Sequence, residues 1–242
     1  MTQGQSSRMQ TRYRVTEQTL IIDLGGKRRV LSSAPQGGGL TSASYILNHQ
    51  VESNPISNTH PRSHSDPVRA LRRLAIRLGV KQGTVGLMTA VPMKQLVTAR
   101  VSSGSLWVEC FATVGVTNAV RAGEWPEVDG RRSQAAGPGT INLIVVTNAC
   151  LSSAAMVGAV QVVTESKTGV LRDHAVPSWT GLPGATGTGT DAVVIACRLR
   201  GQGLWHAYSG THTMIGALIG QAVTRCVTRG LAKAKQWQER YA

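Results

Sequence analysis

Residues 184–191 are the part of the sequence best suited to contact a ligand. They alternate glycine with small polar residues and end in Asp191, directly before an apolar stretch. Glycine lets backbone N–H groups approach a bound molecule closely, and an aspartate can act as a base. No Gly-Lys-Ser/Thr follows, so the run is not a phosphate-binding P-loop, and a plain polar turn is the alternative. The candidate ligand contacts are Thr186, Gly187, Thr188, Gly189 and Thr190.

A polar face on a predicted helix is the second candidate. The helix runs from Ser152 or Ser153 to about Arg172, and four of its polar residues recur at steps of four, three and four, which places them on one side. Glu165 belongs to this face in a chain with only 12 acidic residues, and Lys167 is close to it. A solvent-exposed polar stripe is the ordinary alternative. The four residues are Gln161, Glu165, Thr168 and Arg172.

His212 lies just before the last predicted helix, between Thr211 and Thr213. Either threonine could cap that helix, whose positive dipole end keeps a nearby histidine neutral. A neutral histidine could carry a proton or donate a hydrogen bond to a ligand. A capping loop with no chemical role explains the segment equally well.

The four letters Val-Thr-Asn-Ala occur at 116–119 and again at 146–149, each time at the end of an apolar stretch. If the two stretches are equivalent strand ends, Asn118 and Asn148 lie on one rim of the sheet. Asparagine also ends strands because its side chain stabilises turns, and the repeat alone leaves both interpretations open.

Metal and disulfide sites are not expected. His60, His64 and Asp66 could be ligands only within a long polar loop with prolines, which disfavours a metal there. The four cysteines are widely spaced without a C-x-x-C pair, which indicates buried free thiols. The sequence also lacks a G-x-S-x-G elbow, a zinc-protease helix and a dinucleotide fingerprint.

Apolar periodicity predicts the elements that must position these residues. Predicted strands are 19–24, 29–33, 84–90, 96–101, 106–115, 141–147 and 191–199. The first two are joined by a hairpin-like turn at Gly25-Gly26, and residues 41–51 form a short helical or irregular segment. Helices are predicted at 67–78, at about 152–172 and at about 214–238. This pattern favours an α+β (irregular α/β) single-domain layered sandwich, in which two or three long helices pack on a mixed or antiparallel sheet.

Composition is that of a globular chain, with 41% hydrophobic and 16% charged residues. Residues 1–18 are expected to be a flexible polar segment and residues 19–242 one domain. No apolar run approaches the roughly 18 residues of a membrane span, and the start lacks an apolar signal region, which predicts a cytoplasmic protein. The net charge of +14 is spread along the chain without interleaved aromatics, so it favours solvated faces over nucleic-acid binding. The oligomeric state is not predicted.

Eight short motifs, in their order along the chain, resemble the adenosylcobinamide amidohydrolase family. The match runs from about residue 30 to residue 223, and the motifs are 31–34 with Gly37-Gly38, 48–51, 85–90, 115–123, 139–142, 164–168, 185–191 and 208–213. The departures are modest: Thr117 stands where the family often has Ser, Val120 replaces a second basic residue, and Ser166 replaces Ala. The 52–66 loop is also extended.

The resemblance implies hydrolysis of the amide that joins the aminopropanol arm to the corrin ring of adenosylcobinamide. The product would be adenosylcobyric acid for coenzyme B12 salvage, and no cofactor is expected. Asparagine amides can pair with the corrin's carboxamides, and its apolar faces would need an aliphatic cleft. The expected substrate contacts outside the 186–190 run are Ser33, Asn48, Thr89, Asn118, Arg121, Asn142, Asn148, Lys167 and Thr211. The substrate is not an anion, so it does not explain the charge.

For the mechanism, the first hypothesis is attack by water activated by Glu165 or Asp191, with His212 protonating the departing amine. The oxyanion would be held by a backbone N–H of Gly187 or Gly189, or by the Asn118 amide.

A rival hypothesis uses a covalent hydroxyl nucleophile, which would be Thr188, Thr190 or Ser33. The alternative to an enzyme is a non-catalytic corrinoid-binding or nucleic-acid-binding protein.

Overall fold

The computed structural model describes residues 10–51, 66–80, 83–128, 131–132 and 139–241. The strands are β1 (Arg12–Thr16), β2 (Thr19–Ser32), β3 (Gly39–Gln50), β4 (Thr84–Thr89), β5 (Val97–Ser103), β6 (Leu106–Val114), β7 (Ala119–Val120), β8 (Glu127–Val128), β9 (Arg131–Arg132), β10 (Ile141–Thr147), β11 (Cys150–Leu151), β12 (Gly187–Thr188), β13 (Ala192–Cys197) and β14 (Trp205–His206). The helices are α1 (Pro67–Arg77), α2 (Ser153–Asp173) and α3 (Met214–Tyr241), with a 3-10 turn at Met93–Gln95.

One mixed sheet of eight strands organises the molecule. Its order is β4-β3-β2-β13-β10-β6-β5, and β1 pairs with the first half of β2. The β3–β4 and β10–β13 pairs are parallel, and the other neighbours are antiparallel. Three helices accompany this sheet, which confirms the predicted α+β sandwich.

The two longer helices cover one face of the sheet. Inward-facing strand residues such as Val145 and Ile195 form a cluster with Met156 of α2 and Leu218 of α3. Side chains alternate between the faces of a strand, so the neighbouring residues Ile144 and Val194 point to the other face.

On that other face the sheet packs against itself. Ile46 of β3 and Phe111 of β6 belong to one buried cluster, although three strands separate β3 from β6 in the sheet order. At about 4.8 Å per strand a flat sheet would hold them nearly 20 Å apart, so the sheet must curl. This curl brings polar groups of β3 and β4 to those of β6 and β10.

The N-terminal third differs from the sequence prediction in three places. The predicted helical or irregular segment 41–51 is instead strand up to residue 50: it belongs to β3, which pairs with β2 along most of its length. The Gly25-Gly26 turn is absent: β2 is continuous, and both glycines, with positive φ angles, lie where its register with β3 shifts. The supposedly flexible start contains β1, whose pairing with β2 orders Arg12–Thr16.

The predicted helices are confirmed within a few residues at their ends. Asp66 caps α1 by accepting a hydrogen bond from Arg69 N at 2.9 Å, and Ser152 caps α2 by accepting one from Ala155 N, also at 2.9 Å. Among the described residues, no helix has the length and hydropathy to cross a membrane. His60 and His64 lie outside the described residues.

Candidate active site

Asp191 is held by four hydrogen-bond donors. Its Oδ2 accepts from Lys167 Nζ at 2.5 Å and from Thr188 N at 3.1 Å. Its Oδ1 accepts from Ile141 N at 2.9 Å and from the Thr188 hydroxyl. The side chains of Lys167 and Asp191 are only 9% and 12% exposed, so this is a largely buried ion pair. The four donors occupy the usual acceptor sites of a carboxylate.

The fold explains why these residues meet. Asp191 directly precedes β13, which runs parallel to β10, so its carboxylate reaches the first N–H of β10. Lys167 lies on the buried side of α2 and extends toward the same point. Gly187 leaves room for both groups, because a Cβ there would lie 2.4 Å from Asp191 Oδ2 and 2.6 Å from Lys167 Nζ.

Asn118 is close in the chain to the strand that pairs with residues 187–188. Strand β12 pairs with β7 so that Thr188 opposes Ala119, the residue after Asn118. Asn118 is only 7% exposed, and its Oδ1 has no hydrogen-bond partner within the described ranges. A Cβ at Gly139 would lie 2.3 Å from that oxygen. We call the group Lys167, Thr188, Asp191 and Asn118 the Asp191 cluster.

A second polar group lies inside the curl of the sheet. Asn142 Nδ2 donates to Asn48 Oδ1 at 2.9 Å and to Met88 O at 2.8 Å. Asn48 Nδ2 donates to Thr113 Oγ1 at 3.1 Å, and Thr113 donates to Thr89 Oγ1 at 3.3 Å. These residues were expected to bind substrate amides, but the structure uses most of their polar atoms to join the two halves of the sheet. Asn142 Oδ1 is buried and has no partner in the described part of the chain.

Of the two interpretations of the repeated Val-Thr-Asn-Ala, the shared rim for Asn118 and Asn148 is wrong. They follow β6 and β10, which are antiparallel and therefore end at opposite edges of the sheet. Asn148 instead accepts from Trp107 N at 2.9 Å and donates to Ser105 O at 2.7 Å, and so fixes the turn between β5 and β6.

The structure does not bring His212 to Asp191. His212 and Thr211 are exposed beside the start of α3, and the adjacent Ser209 donates to Ala155 O in the first turn of α2 at 2.5 Å. Lys167 lies twelve residues further along α2, which is roughly 18 Å at the helical rise.

Glu165 is also separate from the Asp191 cluster. It is exposed, whereas Lys167, two residues later, is buried. Two residues correspond to about 200° around a helix, so the two side chains leave α2 on opposite sides.

The remaining predicted residues surround the Asp191 cluster with mostly structural contacts. Ser33 Oγ accepts from Val193 N at 3.0 Å, and Thr190 Oγ1 donates to Gly139 O at 3.2 Å. Thr186 Oγ1 accepts from Ala122 N at 2.8 Å, which ties the run to the turn that contains the exposed Arg121. Gly189 is exposed, with open space where a side chain would lie.

Arg121 N also donates to Glu124 in this turn at 2.9 Å. Desolvation raises the pKa of Glu124, but the hydrogen bonds from Arg121 N, Ser178 and Thr180 outweigh it, so the pKa falls below its ordinary value. Glu124 therefore stays charged and holds the turn together.

Sequence reasoning missed the contribution of residues 139–141. Thr140 Oγ1 donates to Thr190 O at 2.9 Å, and Thr190 Oγ1 donates to Gly139 O. These two hydrogen bonds join the segment before β10 to the segment before β13, next to Asp191. The signal was the resemblance motif at 139–142, whose glycine is required by the close approach of Asn118.

Residues 2–239 match the sequence profile of a family described as adenosylcobinamide amidohydrolase. The chain belongs to this family. The matched residues include all eight motifs and the whole Asp191 cluster.

Relatives in archaea show the same affiliation. An adenosylcobinamide amidohydrolase of Methanosarcina mazei is 30% identical over 228 residues, which are 90% of this chain and 96% of that protein. An uncharacterized protein of Methanocaldococcus jannaschii is 31% identical over 231 residues, 89% of this chain and 86% of the relative. An adenosylcobinamide amidohydrolase of Halobacterium salinarum is 33% identical over 149 residues, 60% of this chain and 57% of its own.

Proposed function

We propose that this chain hydrolyses the amide between the aminopropanol arm and the corrin ring of adenosylcobinamide, giving adenosylcobyric acid for coenzyme B12 salvage in the cytoplasm. The observation that carries the proposal is the buried Lys167–Asp191 pair bound to the Thr188 hydroxyl, within a chain that belongs to this amidohydrolase family. A buried charged pair beside a hydroxyl is an arrangement that can activate a nucleophile.

The donors around Asp191 argue against its role as the base that activates water. A general base needs a free lone pair directed at the water, and here both carboxylate oxygens already accept two hydrogen bonds. Glu165 is exposed on the far side of α2 from Lys167 and is not a better candidate.

The same geometry favours Thr188 as the nucleophile. Of the three hydroxyls considered, Thr190 donates to a backbone carbonyl and Ser33 accepts from a backbone N–H, whereas Thr188 donates to a carboxylate. Thr188 Oγ1 would attack the amide carbon while its proton passes to Asp191 Oδ1. The leaving amine would then take up that proton, and water would hydrolyse the Thr188 ester to regenerate the hydroxyl.

Lys167 and Asn118 have supporting roles in this proposal. Lys167 holds the carboxylate in place and balances its charge at 2.5 Å. The unpaired Oδ1 of Asn118 is an acceptor for a carboxamide N–H of the corrinoid, because a buried oxygen without a donor is costly until a ligand supplies one. His212, which lies beside the start of α3 and near the first turn of α2, has no role in this proposal.

The decisive experiment is incubation of the purified protein with adenosylcobinamide, followed by mass spectrometry for adenosylcobyric acid and free aminopropanol. A protein that retains the corrinoid but releases no aminopropanol would be a binder, and the proposal would be wrong.

The nucleophile is tested by Thr188→Val, which we expect to lower turnover at least 100-fold, and Thr188→Ser, which should retain most of it. The matched control is Thr190→Val, two residues away, with near-normal turnover expected. Hydroxylamine should trap an acyl-enzyme in the wild type and not in Thr188→Val. Normal turnover of Thr188→Val would exclude the covalent route.

A further inference from the structure

A cavity lies at the opposite edge of the sheet from Asp191. Its volume is about 700 Å³, within the range of small-molecule sites. Its lining includes Arg29, Ser42, Ser153, Arg200 and Trp205. We call it the arginine cavity. The six residues of β13 separate it from Asp191, which at about 3.3 Å per residue is roughly 20 Å.

Positive charge is concentrated here. The described lining residues include two arginines and no acidic residue. A cavity lined by two arginines without an acidic residue favours the binding of an anion.

The two lining arginines are differently prepared for a ligand. Arg29 is fixed by donating to Leu151 O at 3.1 Å and to Ser153 Oγ at 2.6 Å, which uses two of its five N–H donors. Arg200 lies over the ring of Trp205 at 5.9 Å from its centroid, and Trp205 is 51% exposed. A fixed guanidinium suits a phosphate, and a half-exposed indole with a guanidinium against it suits a flat base.

We infer that the arginine cavity binds a phosphate attached to a flat heteroaromatic base, that is, a nucleotide. The phosphate would contact Arg29, with the hydroxyls of Ser42 and Ser153 beside it, and the base would stack on Trp205 or Arg200. The source is either a free nucleotide or the nucleotide tail of a larger molecule. This site also gives part of the +14 charge a role that the amide reaction does not supply.

The inference does not depend on the amidohydrolase activity, because the readout is binding. Titration calorimetry and tryptophan fluorescence with ADP, adenosine, inorganic phosphate and cobalamin separate the possibilities. We expect ADP to bind at least ten-fold more tightly than adenosine or phosphate, and to quench Trp205. If cobalamin binds and ADP does not, and Trp205→Leu weakens the binding of cobalamin, the nucleotide tail of a corrinoid is the ligand; cobalamin binding that Trp205→Leu leaves unchanged belongs to the Asp191 edge and contradicts the inference.

Matched variants distinguish this cavity from general charge attraction. Arg200→Ala and Trp205→Leu should each weaken binding at least ten-fold. Arg225→Ala removes an exposed arginine of α3, and Trp125→Leu removes a tryptophan that is 80% exposed outside the cavity, and both should bind like the wild type. The inference is wrong if neither ADP nor cobalamin binds at millimolar concentration, or if Arg225→Ala weakens binding as much as Arg200→Ala.

Discussion

The two edges of the central sheet differ in how their charged side chains are paired and buried. At the Asp191 edge, one lysine and one carboxylate are buried together and saturated with hydrogen bonds. At the arginine cavity, two arginines lie near solvent with no acidic residue among the described lining. A closed pair of this kind can be disturbed only at a high energetic cost, whereas an open arginine surface can exchange partners. The closed pair fits the reaction centre proposed at the Asp191 edge, and the open arginines fit the ligand site proposed at the other edge.

The largest expected effect is the loss of the buried carboxylate. Asp191→Asn should lower the free energy of unfolding by about 3–5 kcal/mol, because it leaves Lys167 buried without a counter-charge. Urea denaturation measures this loss. The control is Asp23→Asn, whose ion pair with Arg12 at 3.3 Å is partly exposed, and which should lose less than about 1 kcal/mol.

A second variant keeps this prediction testable if Asp191→Asn folds poorly. Adding Lys167→Met removes the stranded charge, so the double variant should be more stable than Asp191→Asn alone. If Asp23→Asn and Asp191→Asn lowered the free energy of unfolding equally, the Lys167–Asp191 pair would behave like a surface ion pair, which would contradict the prediction.

The two asparagines of the repeated motif should respond differently. Asn118→Ala should lower kcat/KM about 10- to 100-fold with little change in stability, because its buried oxygen has no partner within the described residues and is proposed to accept from the substrate. Asn148→Ala should keep its activity and lose about 1 kcal/mol of stability with its two turn hydrogen bonds. Steady-state kinetics and denaturation of both variants make the comparison, and a reversed pattern would contradict it.

The glycine run offers a finer test of crowding. Gly187→Ala should cost about 1–3 kcal/mol of stability and lower activity, because its Cβ meets both Asp191 and Lys167. Gly189→Ala, two residues away, has open space and should be close to neutral. Thermal melts and turnover of the two variants are the measurement, and equal behaviour would mean that the ion pair relaxes to admit a methyl group.

The smallest expected effect is a pH dependence near the arginine cavity. Burial lowers the pKa of His206 below its ordinary value, so the unfolded chain takes up a proton at a pH where the folded chain does not. Stability from this residue is therefore present above the unfolded pKa of about 6.5 and is lost as the pH falls toward the folded value.

We expect the contribution to be well under about 1 kcal/mol, since His206 is only partly buried. Denaturation of wild type and His206→Gln at pH 7 and pH 5 should show a smaller acid loss in the variant. An equal loss in both proteins would assign the effect to other groups.

Local patterns predicted much of the fold but not its first strands. Apolar periodicity identified α1 and α2, and the apolar runs of β6, β10 and β13 identified those strands directly. The prediction for residues 41–51 failed because buried polar residues such as Asn48 interrupt the alternation of apolar and polar residues expected of a strand. Asn48 is hydrogen-bonded to Thr113 and Asn142, which only the curl of the sheet brings to it. The pairing of strands that are far apart in the chain cannot be predicted from a short stretch of sequence.

The candidate site was predicted in part for the same reason. The run 184–191 and the motif at 115–123 do meet, because β12 pairs with β7 and Asp191 reaches β10. Glu165 and His212 also belong to motifs shared with the family, but neither reaches Asp191. Glu165 faces solvent on α2, and His212 lies near the first turn of α2, far from Lys167.

Sequence by itself determined the family, the α+β class and the residue types available for amide chemistry, since these follow from ordered motifs and local periodicity. Only the tertiary structure decided which of those residues share a site. The antiparallel pairing of β6 and β10 places Asn118 and Asn148 at opposite edges of the sheet. The packing of α2 on the sheet buries Lys167 and leaves Glu165 exposed. Both arrangements depend on contacts between residues that are far apart in the chain.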